Sequence, residues 1–178
     1  KKLAYHYLFG VSLLLLFSIS SLYSQQPAIE VTVFTDVIDT DGNGVISSGD
    51  VANFTIKAKN TGNIALTGIS LTASFTGVNN SAASLTGGVS YTESSGGSSL
   101  GNLSIASGGE IATYVASYTF NGAGISAGGV KLSIVALASS APLTNNVSDT
   151  SDDGNDTDGD TTGDHNIIVA GADLNSIL

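Results

Sequence analysis

From Ile29 onward, apolar and polar side chains alternate along most of the chain. Ile29, Val31, Val33 and Val37 interleave with Glu30, Thr32, Phe34 and Asp36. Ala52, Phe54, Ile56 and Ala58 interleave with Asn53, Thr55, Lys57 and Lys59. Ile69, Leu71, Ala73 and Phe75 make a third row, and Val130, Leu132, Ile134 and Ala136 another. Successive side chains of a strand point to opposite faces, so this period predicts strands with one buried and one solvated face. That is the antiparallel pattern. Glu110–Phe120 predicts a longer strand with Tyr114, Tyr118 and Phe120 on one side, and Val89–Thr92 a weaker one. The Gly- and Ser-rich stretch 87–109 predicts two short edge strands or a surface loop. No segment after Gln25 carries a helical period. About seven strands separated by Gly-rich turns predict an all-β chain folded as a Greek-key β-sandwich.

Composition narrows how such a sandwich can hold together. There is no cysteine and no tryptophan among the 178 residues, so the core rests on aliphatic packing without a disulfide. The start of the chain is different in kind. Lys1 and Lys2 precede an apolar run from Leu8 to Ile19, and small residues lead to Ser24. This predicts a secretory signal peptide over residues 1–24, removed before Gln25. Its apolar run is too short to span a bilayer comfortably, so no membrane span is expected after its removal. The expected organisation is then a sandwich over 25–143, an acidic linker over 144–164, and a last segment over 165–178. That last segment either starts another domain or supplies a terminal strand.

Charge sets the partners. The chain carries 15 acidic and 5 basic residues, a formal net charge of −10. Every acid lies after Gln25, where only Lys57, Lys59 and Lys131 oppose them. Such a chain repels nucleic acid and anionic membrane surfaces and attracts divalent cations.

One segment has the spacing to hold such a cation. Asp39–Asp50 reads DTDGNGVISSGD between two predicted strands. In a twelve-residue calcium loop, oxygen ligands come from positions 1, 3, 5, 7, 9 and 12, with a glycine at 6. Asp39, Asp41 and Asn43 fall at the first three, Gly44 at the turn, and Asp50 at the close. Val45 would offer its carbonyl, and Ser47 its hydroxyl or a water. The closing residue is Asp rather than bidentate Glu, so the expected calcium site is of low affinity. No amphipathic helix flanks it, which excludes a sensor that opens a groove. Asn43-Gly44 is also a hairpin signal by itself, so a plain turn is the competing reading. A second, weaker calcium set is Asp156, Asp158, Asp160 and Asp164, in a run that otherwise reads as solvated linker.

Catalytic signals are missing. His165 is the one histidine beyond the signal peptide and lies in the acidic run. No serine sits in a nucleophile elbow, and Glu30, Glu93 and Glu110 form no recognisable acid–base pair. Zinc is disfavoured for want of His and Cys. The expectation is a protein that is not an enzyme.

The order of motifs resembles the immunoglobulin-like repeats of large bacterial surface and adhesin-like proteins. The resemblance rests on the acidic loop Asp39–Asp50, Phe54 in the next strand, the turn Asn60–Asn63 (NTGN), and Leu66–Thr72 (LTGISLT). It continues through ATYVASYTF (112–120) and GAGISAGGVKLSIVALA (122–138). It implies an immunoglobulin-like fold and a stalk or adhesive role at the outer surface of a Gram-negative bacterium. Partners would be neighbouring domains of a longer surface protein and an extracellular glycan or protein. Such repeats occur in tandem, whereas here a single unit is present. The alternative is an accessory domain of a secreted hydrolase, which an exposed aromatic row from Phe34, Tyr91 and Tyr118 would favour.

Overall fold

A computed structural model of the chain describes residues 24–105, 108–152 and 166–174. The signal-peptide reading of 1–24 therefore lies outside the described residues except for Ser24. The elements are β1 (Ile29–Ile38), β2 (Val51–Asn60), β3 (Leu66–Gly77), β4 (Gly87–Ser94), β5 (Asn102–Leu103), β6 (Ile111–Thr119), α1 (Gly122–Ser126), β7 (Gly129–Ser139), β8 (Val147–Thr150) and β9 (Asn166–Val169). They form two antiparallel sheets, one in the order β1-β2-β6-β4 and one in the order β5-β3-β7-β8, with β9 also on β7.

Alternation explains the core. Val31 and Val33 on β1, Phe54 and Ile56 on β2, Tyr114 and Tyr118 on β6, and Leu132 and Ile134 on β7 all point inward and are buried. Their sequence neighbours face out, as period two requires. An aromatic chain ties the sheets together. Phe75 of β3 meets Phe54 edge-on at 6.1 Å and Tyr118 at 5.0 Å between centroids, and Tyr118 meets Phe120 at 5.2 Å. Offset and edge-on ring pairs of this kind add to what burial alone contributes. The inward expectation is not met everywhere: Val37, Leu71 and Phe75 pack on the core but stay partly exposed, and Ala73 is exposed, β3 lying near the edge of its sheet.

Two elements differ from the expectation. α1 is one helical turn, too short to show a periodic pattern. It forms because the Asn121 side chain accepts from the Ala123 and Gly124 N–H groups. The larger difference is at the expected linker. Val147–Thr150 pairs with Val135–Ala138 of β7, and Asn166–Val169 pairs with Gly129–Leu132 further along the same edge. The chain leaves this ladder at Asp152 and returns to it at Asn166. Residues 144–152 and 166–169 thus belong to the sandwich itself, and the boundary expected at 143/144 falls inside one sheet. The composition misled because β8 buries only Val147 among its four residues. Main-chain pairing and polar contacts hold it instead. Ser151 donates its N–H to the Ile134 carbonyl and accepts from the Ile134 N–H.

The same segment closes the outer edge of β1. The Val31 N–H donates to Asp149 Oδ2 at 2.6 Å, and the Val33 N–H to the Asp152 carbonyl at 3.1 Å. The Asp152 N–H returns to the Val31 carbonyl, and the Asn166 amide reaches the Val33 carbonyl. The two sheets are therefore stitched at this corner by main chain as well as by packing.

Truncating Phe54 to Ala should cost about 3–5 kcal/mol of stability, since the ring is buried and packs edge-on to Phe75. Thr55→Ala, on the opposite face of β2, should cost well under that. Urea unfolding of both variants checks it, and equal losses would mean the β2 register is off by one.

Candidate metal centre

β1 ends at Ile38 and β2 begins at Val51, so the acidic loop is the connection of this hairpin. Short polar side chains bend it. Asp39 accepts from the Gly42 N–H with one oxygen and from the Gly44 N–H with the other, both at 2.8 Å. Asp41 accepts from the Asn43 N–H, and Asn43 in turn from the Val45 N–H at 2.8 Å. Such side-chain-to-backbone bonds replace the ladder that a tighter hairpin would use. Gly42 and Gly44 sit at φ of 72° and 78°, a region costly for residues with a Cβ.

Main-chain bonds dock the loop on the body. Ile46 is buried, its N–H donates to the Ala172 carbonyl, and its carbonyl accepts from Gly171. Leu174 donates to the Gly44 carbonyl. These bonds flank an antiparallel bridge between Val45 and Asp173, so the Val45 carbonyl points away from Asp173. At the far end Gly49 donates to the Phe120 carbonyl, and Phe120 to that of Asp50.

The fold brings Asp39, Asp41 and Asp50 together, with one carboxylate oxygen from each within 4.8 Å of the others. Two oxygens on opposite sides of a calcium ion are at most roughly 5 Å apart, so the spacing fits one shared ion. The other expected ligands stand beside these. Ser47 Oγ donates to Asp41 Oδ2 at 3.1 Å, and the Asn43 amide donates to the same oxygen. Asp156, Asp158, Asp160 and Asp164 lie outside the described residues.

Among the described residues, no basic side chain offers the loop a counter-charge. The N–H of Gly44, seconded by that of Gly42, holds the Asp39 carboxyl below its ordinary value against a smaller opposing effect of burial and of Asp50. Burial pushes the Asp50 carboxyl up, but the donors from Thr40 and Ser47 outweigh it and its net shift is downward. Both carboxyls are therefore charged at neutral pH. The described lysines are engaged elsewhere. Lys59 is 3.9 Å from Glu30, Lys57 lies over the Phe34 ring, and Lys131 donates to Asn80. Mutual repulsion of clustered carboxylates is what a divalent ion relieves.

A second buried carboxylate escaped the sequence reading. Glu110 has no solvent exposure and accepts from the Ser94, Ser98 and Ser104 hydroxyls and from the Ser98 and Ser104 N–H groups. Burial works to raise its pKa, yet these five donors carry it far below the ordinary value. Among the described residues no basic side chain pairs with it. Glu110 gathers the Ser-rich connection between β4 and β6, so its role is structural. Scattered serines gave no spacing from which to foresee this.

The aromatic row expected of a sugar-binding face does not form. Phe34 is exposed under Lys57, Tyr91 packs edge-on to Tyr114, and Tyr118 is buried. Comparison of the chain with protein-family models, with curated proteins and with solved structures gives no match.

Glu110→Ala should cost about 3 kcal/mol or more, because it leaves several inward-facing donors without a partner. The pH dependence has a definite sign. Folding lowers this pKa, so the stabilisation is complete above the ordinary value of 4.5 and is lost as pH falls below it. Urea midpoints between about pH 7 and pH 3 should fall for the parent chain and fall less for Glu110→Gln.

Proposed function

We propose that this chain is a non-catalytic structural or adhesive module of a secreted bacterial surface protein, an immunoglobulin-like sandwich stiffened by calcium at Asp39–Asp50. The observation that carries the reading is the convergence of three carboxylates, without a lysine among them, on a loop docked to the sandwich. The strand order supports the immunoglobulin-like part. In constant-type immunoglobulin sandwiches strands A, B, E and D form one sheet, and C, F and G the other. Here β1-β2-β6-β4 runs parallel to the first set and β3-β7-β8 to the second, with β5 added at the edge.

An ion shared by Asp39, Asp41 and Asp50, with the Val45 carbonyl and the side chains of Asn43 and Ser47 nearby, would lock the β1–β2 connection against Phe120 and the 170–174 segment. That is the mechanical role expected of a stalk unit. The lysines at the start and the apolar run before Gln25 support export, and outside the cell millimolar calcium is available. With an aspartate closing the loop, affinity should match extracellular modules, about 10⁻⁴–10⁻³ M.

At millimolar calcium the site adds only about 1 kcal/mol by linkage. The melting temperature should therefore rise by a few degrees with calcium over chelator, and Asp41→Ala should abolish the rise. The comparison belongs on a chain in which Asp156, Asp158, Asp160 and Asp164 are asparagine, which removes the second set and keeps β8 and β9. Equal melting with calcium and with chelator would reduce the loop to an ordinary turn. Export is checked separately: mass spectrometry of the secreted form should find its first residue at or near Gln25.

A further inference from the structure

An asparagine followed by glycine can be attacked by its own main chain. Glycine carries no side chain to shield its nitrogen, and its free backbone lets that nitrogen approach the preceding amide carbon. The chain holds two such pairs, Asn43-Gly44 and Asn121-Gly122. Both asparagines are exposed, yet the fold employs them differently.

Asn43 stands among groups placed for that attack. Its Oδ1 accepts from the Val45 N–H at 2.8 Å. This bond closes a ring that contains both the Asn43 Cγ and the Gly44 nitrogen, and so folds the amide back over the main chain. The same donor faces the oxygen on which negative charge collects when a nitrogen adds to Cγ. The Gly44 N–H, whose hydrogen must leave, already points to Asp39 Oδ2 at 2.8 Å. The Asn43 Nδ2, the group to be expelled, is held by Asp41 Oδ2 at 2.9 Å.

Asn121 also sits in a ring of this kind, but its oxygen caps α1. It accepts from the Ala123 and Gly124 N–H groups at 3.0 Å each and from the Tyr118 hydroxyl at 3.3 Å. Attack there would strip the helical turn of its cap. Among the described residues no carboxylate accepts the Gly122 N–H.

We propose that Asn43 is a self-modifying site, converted in the folded protein to aspartate and isoaspartate by its own loop. The Gly44 nitrogen bonds to the Asn43 Cγ, and its hydrogen passes by way of Asp39 to the departing amide. The Cγ–Nδ2 bond breaks and ammonia leaves, which gives a cyclic imide. Water then opens the imide. Cleavage between the Gly44 nitrogen and Cγ yields aspartate. Cleavage between that nitrogen and the main-chain carbonyl carbon of Asn43 yields isoaspartate. The net change is amide and water to carboxylic acid and ammonia, with nothing oxidised or reduced.

The two products act on the loop in opposite ways. Aspartate adds a fourth carboxylate beside Asp39, Asp41 and Asp50. Calcium affinity rises with ligand charge, a consequence that alone rests on the calcium reading of this loop. Isoaspartate lengthens the main chain by a methylene ahead of Gly44. That displaces the N–H that holds Asp39 and the carbonyl that accepts from Leu174, and it loosens the loop from the 170–174 segment.

Peptide mapping by mass spectrometry tests this on the chain incubated at mildly alkaline pH in chelator, so that the result is independent of calcium binding. In the folded chain Asn43 should convert well ahead of Asn121, and fragmentation should find isoaspartate at that position. In urea, where neither side chain is held, the two should convert at similar rates. Asp39→Asn should slow Asn43 about tenfold, less than the roughly 10²–10⁴-fold of an enzyme's positioned base, because a carboxylate is a weak one. The same variant should leave Asn121 unchanged. If it fails to fold, the comparison of folded and urea-unfolded parent chain decides alone. Asn43 converting no faster than Asn121 in the folded chain overturns the proposal. So does a lead of Asn43 that is equally large in urea, or a folded Asp39→Asn variant with an unchanged rate.

Discussion

Every main-chain donor and acceptor in a sheet needs a partner, and in this molecule that requirement is hardest to meet where β1 would otherwise end its sheet. The solution is the chain's own late segment. Asp149 and Asp152 take and return bonds along Val31 and Val33, and Asn166 continues the seal one residue further on. Because β8 and β9 also pair with β7, one stretch of chain closes the first sheet and completes the second. The acidic loop depends on it in turn, since Ala172 and Leu174 hold Ile46 and Gly44. Removing the tail would therefore loosen an edge, a sheet and the loop together.

Buried carboxylates fasten loops here as a disulfide does in disulfide-bonded domains. Asp50 fastens the start of β2 to Thr40 and Ser47, and Glu110 fastens the start of β6 to three serines. Neither has a cationic partner among the described residues. Each is kept charged by several short donors, which offset the cost of removing a carboxylate from water. Fixing loops in this way needs no oxidising chemistry, but it makes the fold sensitive to acid.

A stalk or adhesive unit must carry load along its chain, and these features suit that proposal. A hairpin loop docked through Ile46 and Gly44 and a sealed first strand each restrict how far neighbouring segments can slide.

How much of this was legible in the sequence follows from which forces are local. Period-two rows placed Val31, Phe54, Ile56, Leu132 and Ile134 inside, because alternation is a property of a single strand. The loop spacing named Asp39, Asp41 and Asp50 together, because a tight turn brings residues that are near in sequence near in space. Glu110 was invisible, since its donors come from Ser94, Ser98 and Ser104, a set with no motif. Asp149 and Asp152 read as linker for the same reason: their partners lie over a hundred residues away on β1. Sequence determined which faces are apolar and where the chain turns. Only the tertiary structure decided which edges meet, because pairing between distant strands depends on topology and on main-chain groups that every residue carries alike.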